Sequence, residues 1–322
     1  MQTRYLLALL PSLLLPATSF GQDSPADGLS TELTAGIFFI DSGNNLNPNG
    51  SKPYLSSLDD APKRELTVIP ALVPELTYRF GGDKQFAWYL NSRPPMDEAG
   101  SFALSTGMNS KLPGIATFDF GLFYVPFAEA WKNPYLVNVG REETDVLTWG
   151  GQFTAGRILD WPLELQIAAL SEDVEDDDLA KLFPQLGRDG EVYHISTSYG
   201  FFPKSAFPLT PKLSFRKGEY DGDSSSFSKV KAEISGRYLA GRLFLLPTVF
   251  YSYKEYDEKD PIFDATREEN GFGFNLIAKY NGLFNSESLG LMALVGYSRG
   301  EANEDFYNTE SLVCGMGLSY RF

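Results

Sequence analysis

The chain's one histidine lies two residues before a serine, in Tyr193-His194-Ile195-Ser196-Thr197-Ser198. An imidazole beside a hydroxyl is the smallest set for nucleophilic chemistry, the ring taking the proton while the oxygen attacks. On a strand, residues two apart share a face, so His194 and Ser196 can meet. Their surroundings weaken that reading. Tyr193, Ile195 and Tyr199 make the opposite face apolar, which turns the pair inward, and no Asn, Asp or Glu occurs at 204–210 to orient the ring.

Two other sets could do chemistry. Acidic runs occur at 172–178 (EDVEDDD), 255–260 (EYDEKD) and 301–305 (EANED). Asp176, Asp177 and Asp178 are the weak candidates for holding Ca²⁺ or Mg²⁺ through oxygen ligands, with lipopolysaccharide phosphates as possible bridged partners. No EF-hand spacing is present, and such runs equally make a solvated surface. With 1 His and 1 Cys, soft-ligand zinc or iron sites are excluded and no internal disulfide can form. No cofactor is expected. The third set is a charged comb at 228–238: Lys229, Lys231, Glu233, Ser235 and Arg237 against Val230, Ala232, Ile234, Gly236 and Tyr238.

That comb says what must position it. Strict alternation is the signature of a strand with two unlike faces. On the lipid face of a membrane barrel each Lys or Arg near the midplane costs roughly 2–4 kcal/mol, so these charges must point into a lumen. Similar alternation recurs at 269–280, 288–299 and 311–322. In 243–254 Phe244, Leu246 and Phe250 fall on the polar side, as Val313 does in the last strand. Fourteen strands are expected, at 30–40, 66–80, 84–92, 100–108, 114–126, 144–156, 162–171, 191–201, 210–219, 228–238, 243–254, 269–280, 288–299 and 311–322. Pro70, Pro74 and Pro247 should each mark a local irregularity, because proline cannot donate to a ladder. Long connections (41–65, 127–143, 172–190, 255–268, 300–308) alternate with short ones.

Residues 1–21 carry one charge, Arg4, then an apolar run and small residues at 19 and 21, the pattern of a cleaved signal peptide. Residues 22–28 would be a short periplasmic segment and 29–322 a single barrel domain. The net charge of −15, one unit lower without Arg4, excludes nucleic acid as a partner. No apolar run after residue 21 is long enough for a transmembrane helix.

These features resemble Gram-negative outer-membrane β-barrel, porin-like proteins. Their sharpest piece is Gly317-Leu318-Ser319-Tyr320-Arg321-Phe322, which resembles the C-terminal assembly signal of that class. The resemblance implies an all-β antiparallel barrel of about 14 strands with both termini periplasmic. It also implies a home in the outer membrane, and barrel-assembly machinery that reads Leu318, Tyr320 and Phe322. The stretches LSTELTAGIFFIDSGNNLN and PALVPELTYRFGGDKQFAWYLN are similar to an uncharacterised outer-membrane barrel family, DUF2860, which implies no activity. The His194/Ser196 spacing is similar to the active-site pair of lipid-hydrolysing outer-membrane barrels.

Parity places Glu75, Arg79, Asp119, Glu164, His194, Lys212, Arg216, Lys229, Lys231, Glu233, Arg237 and Lys279 on the lumen side. Basic residues on two neighbouring strands facing Glu75, Asp119 and Glu164 would set a field across a narrow pore. The reading is a passive channel or binding pore for small hydrophilic solutes. The alternatives are an interior whose ion pairs merely satisfy one another, a lipid hydrolase using His194 and Ser196, and an adhesive or structural barrel acting through its acidic loops. With little chain before the first strand, a constriction is expected from the 41–65 loop. Cys314 should face lipid as a small apolar filler.

Overall fold

In the computed structural model, residues 28–82, 85–92 and 103–322 are described. The expected signal peptide, residues 22–27 of the segment after it, and the connection 93–99 lie outside them.

The alternating segments form one closed antiparallel barrel. Its strands are β1 (Leu29–Gly43), β2 (Glu65–Phe80), β3 (Phe86–Asn91), β4 (Leu104–Leu112), β5 (Ala116–Trp131), β6 (Glu143–Gly156), β7 (Leu163–Val174), β8 (Gly190–Tyr199), β9 (Leu209–Tyr220), β10 (Phe227–Gly236), β11 (Tyr238–Ala240), β12 (Leu243–Asp260), β13 (Ala265–Asn281), β14 (Leu289–Ala302) and β15 (Thr309–Arg321). β10 and β11 pair with the same strand, β12, on either side of Arg237, so the wall has fourteen staves. Closure comes from β1 against β15, in register from Glu32↔Arg321 to Gly43↔Glu310. A closed sheet leaves no unpaired edge in hydrocarbon, where a bare amide or carbonyl costs several kcal/mol.

The outer face is an apolar belt with a sharp upper border. On β1, Leu33, Ala35, Ile37 and Phe39 give way to Asp41, and on β8, Ile195 and Tyr193 give way to Glu191. Leu72, Phe120, Leu122, Ile167 and Met316 are all exposed on it. Free Cys314 lies on this face. The connections sort by end, the long loops at one rim and the tight turns at the other.

Two expectations are corrected. The ladders run unbroken through Pro70 and Pro74 against β1 and through Pro247 against β13. On β1 the first two stand opposite Ile37 and Leu33, and the ladder continues on both sides of each. The register breaks elsewhere, at Val125/Ala128, around Phe127 with its positive φ of 64°, and at Glu255/Lys259. The segment 255–268 is also mostly strand. β12 and β13 rise together to a short turn at 261–264, with Tyr256 and Asp260 buried on the inner side.

The lumen is packed. One cluster joins Ala103, Phe123, Val125, Ala168, Leu170, Val192, Phe227 and Tyr256. The other joins Phe38, Ile40, Ile69, Phe244, Leu246, Ile277, Leu294 and Val313. Residues that break the outer alternation therefore fill the inside. Val313 is 0 % and Phe244 4 % exposed. Inward glycines make room for the rings: a Cβ on Gly315 would stand 2.2 Å from Phe38, and one on Gly150 2.5 Å from Phe123.

Candidate functional site: a lidded cavity over a packed lumen

Under the long-loop rim the packing leaves a cavity of ≈ 350 Å³. Ile40, Leu246 and Ile277, the top of the second apolar cluster, line its lower part. Its wall carries Lys229, Lys231, Glu233, Phe250, Lys254 and Glu269, all inward positions of β10, β12 and β13. Asn44, Asn47 and Gly50 of the β1–β2 loop line the side from which that loop reaches over it.

The loop is held there by its own chemistry. Asn47 caps the single 3₁₀ turn Pro48–Gly50, its Oδ1 accepting from the Asn49 amide, and the Asn44 amide donates to the Gly50 carbonyl at 2.9 Å. This knob is bolted to the β5–β6 loop. Arg141, 4 % exposed, donates to the carbonyls of Asn45 (2.7 Å), Pro134 (3.1 Å) and Lys52, and to Ser51 Oγ (3.0 Å). Its guanidinium also lies over the Trp131 ring, 4.3 Å from the centroid. Burial pulls the Arg141 guanidinium down to about 10. Asn45 Nδ2 donates to the Phe306 carbonyl at 3.2 Å, tying the lid to the β14–β15 loop. There Tyr135, Phe263, Phe306 and Tyr307 stack on one another, Tyr135 Oη meets Tyr307 Oη at 2.8 Å, and Tyr307 donates to buried Asp260.

The wall's electrostatics are built in layers. Lys231 pairs with Glu233 at 3.2 Å and sits 4.4 Å from the Phe250 centroid. Lys254 lies 3.8 Å from the Phe227 centroid and donates to Tyr256 Oη at 2.6 Å. Glu269 is paired with Arg267, whose guanidinium covers the Tyr307 ring at 3.7 Å.

Eleven of the twelve lumen-side residues fall into three groups, and Arg237 stands apart. Lys229, Lys231 and Glu233 line the cavity. Asp119, Glu164, His194, Lys212 and Arg216 belong to an adjoining polar layer, where Arg216 and Lys212 stand opposite Lys229 and Glu233 in the β9–β10 ladder. In this layer Asp119 accepts from Tyr89 (3.0 Å), Lys212 donates to Gln166 (3.4 Å), and Glu164 lies in the field of Lys212. Glu75, Arg79 and Lys279 sit toward the short-turn rim. Lys279 and Arg321 approach Glu32 there at 3.9 and 3.1 Å, and Glu75 stands opposite Glu32 in the ladder. Arg237 marks the β10/β11 break, its amide donating to Pro208 O. The basic and acidic sets thus do not face each other across one open ring.

His194 and Ser196 share the inner face, both 5 % exposed, and each is hydrogen-bonded to a third residue. Arg216 Nε donates to His194 Nδ1 at 3.1 Å, so that nitrogen is occupied as an acceptor. Ser196 Oγ donates to Gln166 Oε1 at 3.3 Å instead of to the ring. In the β7–β8 loop the three aspartates are dispersed among different partners. Asp176 pairs with Lys132 (3.1 Å), Asp177 with Arg188 (2.8 Å) while capping the helix α1 (Asp178–Leu182), and Asp178 with Lys181 (2.8 Å). The Lys181 hydrogen bond holds the Asp178 carboxyl below the usual carboxylate range. Among the described residues no cluster suited to a metal ion occurs.

Sequence reasoning put Lys254 on the polar face of 243–254 without counting it among the lumen residues, and missed Glu269, Arg267 and Arg141. Glu269 and Arg267 lie on the inward parity of β13 and were legible had the alternation of 269–280 been followed toward its N-terminal end. Arg141 carried no local signal, since its acceptors lie up to 96 residues away.

The model of the family described as "Protein of unknown function (DUF2860)" matches residues 28–321. The chain belongs to that family. No curated protein matches the sequence. Among solved structures, this DUF2860 chain is similar to OmpT, an outer membrane protein of Vibrio cholerae. They share 9% identity over 92% of this chain and 98% of that one, with a TM-score of 0.42. A FadL homologue of Pseudomonas aeruginosa shares 13% identity over 91% and 90%, TM-score 0.40. An anion-selective porin from Comamonas acidovorans shares 11% over 91% and 100%, TM-score 0.38. Likeness at this level concerns the barrel wall and assigns no solute.

Proposed function

We propose that the protein is an outer-membrane pore of the solute-binding kind, which takes a small hydrophilic molecule into the lidded cavity. The long loops face outward and both ends of the barrel domain face the periplasm. One observation carries the reading: a cavity within the size range of small-molecule sites lies beneath a loop that is tied down rather than solvated. The packed layers below it make the described conformation the closed one, and passage requires the lower lumen to rearrange. The dispersed polar hydrogen bonds of His194 and Ser196 support a non-enzymatic role.

Planar-bilayer recording on the folded, purified protein tests this. Brief, small conductance steps are expected, with longer openings when residues 44–62 are replaced by a short Gly-Ser turn. A large, steady conductance in the unaltered protein would remove the lid and the packed lumen from the account. Silence in both proteins, with no solute uptake by liposomes, would remove the pore.

Assembly is a separate matter. Barrel-assembly machinery is the proposed reader of Leu318, Tyr320 and Phe322, which project outward at the short-turn rim and are exposed. Deleting Phe322 is expected to lower the outer-membrane yield severalfold while detergent refolding in vitro proceeds normally. Equal loss in both settings would make the residue structural instead.

A further inference from the structure

The wall of the cavity is uneven in its charge, and we infer that the site selects small organic anions, a carboxylate on a short apolar body. This rests on reading the cavity as a solute site and names its ligand class.

Three lysines line the cavity, Lys229, Lys231 and Lys254, with Arg299 at its rim. Three carboxylates line it too, but two are held from behind. Glu310 is bound by Arg64 at 3.1 Å and Glu269 by Arg267, and neither arginine lines the cavity. Glu269 further lies in the field of both Lys254 and Lys229, so three cations surround that one carboxylate. Glu233 is paired with Lys231, a lysine of the cavity itself. With Asp41 on Arg64 and Glu301 on Arg299 included, the six cations in and behind this wall (Lys229, Lys231, Lys254, Arg299, Arg64, Arg267) outnumber its five carboxylates (Glu233, Glu269, Glu310, Asp41, Glu301). An anion meets ammonium groups whose donors turn on flexible stems.

The lower lining makes the preference organic. Ile40, Leu246 and Ile277 present apolar surface directly beneath the lysines. A hydrated inorganic anion gains nothing from that surface, whereas an apolar body laid on it gains about 25 cal/mol for each Å² removed from water. Asn44 and Asn47 of the lid add neutral donors from the opposite side. The volume of ≈ 350 Å³ sits at the small end of ligand pockets, which suits one aromatic or short aliphatic acid.

Calorimetric titration of the full, detergent-folded protein with benzoate, benzamide and inorganic phosphate is the test. Benzoate is expected to bind about tenfold or more tighter than benzamide, the worth of one charge-assisted hydrogen bond, and tighter than phosphate. Lys229→Gln with Lys254→Gln should remove that advantage and leave benzamide unchanged. Lys279→Gln, the same charge change near the short-turn rim, should alter benzoate affinity less than about twofold. Glu233→Gln removes a carboxylate from the cavity wall and should tighten benzoate severalfold, a gain that no misfolded variant can imitate. Benzoate no better than benzamide, phosphate tighter than benzoate, equal loss in Lys279→Gln, or weaker benzoate binding in Glu233→Gln would each overturn the assignment. Benzoate binding by a protein that never conducts would support the anion site and remove permeation. Conduction without benzoate preference would do the reverse.

Discussion

Arg141→Ala should lift the lid while leaving the barrel closed. The guanidinium joins residues 45, 51 and 52 of the lid to residue 134 of the neighbouring loop. Among the described residues its side-chain acceptors are carbonyls and a hydroxyl, with no carboxylate to balance the charge. Burial holds its pKa at about 10, below the ordinary arginine value. For a base this means that the unfolded chain binds the proton more tightly. The charge therefore opposes the docked lid at every pH below about 10, and that opposition fades only as pH rises above it. The hydrogen bonds win because the acceptors they satisfy are buried, and leaving each bare costs about 1–3 kcal/mol. Truncation abandons them together, and water reaches them only once the lid has moved. The expected result is fast hydrogen exchange and new proteolytic cuts within 44–62, with the heat-resistant mobility of the barrel unchanged. Arg141→Lys should fall between, since one ammonium cannot span the fork. Lid amides as protected in Arg141→Ala as in the parent would show that the guanidinium is dispensable and that the backbone bonds of Pro53 and Leu55 to the β5–β6 loop, with the Trp131–Ser51 bond, hold the lid.

The wall of this protein was legible because a strand's period is two and lipid punishes every misplaced charge. Lys229, Lys231 and Glu233 could point only one way, and the closing partner of β15 followed from the need to leave no edge. The prolines misled because the ladder pairs through each of them without a bulge. What the sequence concealed was the state of the lumen. Phe244, Leu246, Phe250 and Val313 broke the outer pattern, and read as noise they left the inside looking polar and open. Read as a second pattern they describe a lumen filled from one side. The lid belongs to a different kind of ignorance. Asn45 meets Phe306 across 261 residues and Arg141 meets Asn45 across 96, and no local period encodes such a meeting.

Phe38→Ala combined with Phe244→Ala should turn the closed barrel into a leaky one. Both rings belong to the apolar cluster beneath the cavity, on strands from different parts of the wall, and neither is more than 4 % exposed. Each truncation of a packed ring costs about 3–5 kcal/mol, the spread depending on how far the site collapses. Here collapse is resisted, because Phe38 lies over Gly315 and the wall's ladders with β2 and β15 fix the backbone around it. The vacated volume adjoins the cavity floor at Ile40, Leu246 and Ile277, so it should fill with water rather than stay dry once it joins the polar layer around Lys212 and Gln166. Bilayer conductance should then rise severalfold over the parent, together with a lower unfolding temperature in detergent. Phe39→Ala, one residue along β1 but facing lipid, should change neither conductance nor closure. If the double variant conducts no better than the parent, the barrier to passage lies in the polar layer of Asp119, Gln166 and Lys212. The apolar cluster is then scaffolding for the cavity rather than its gate.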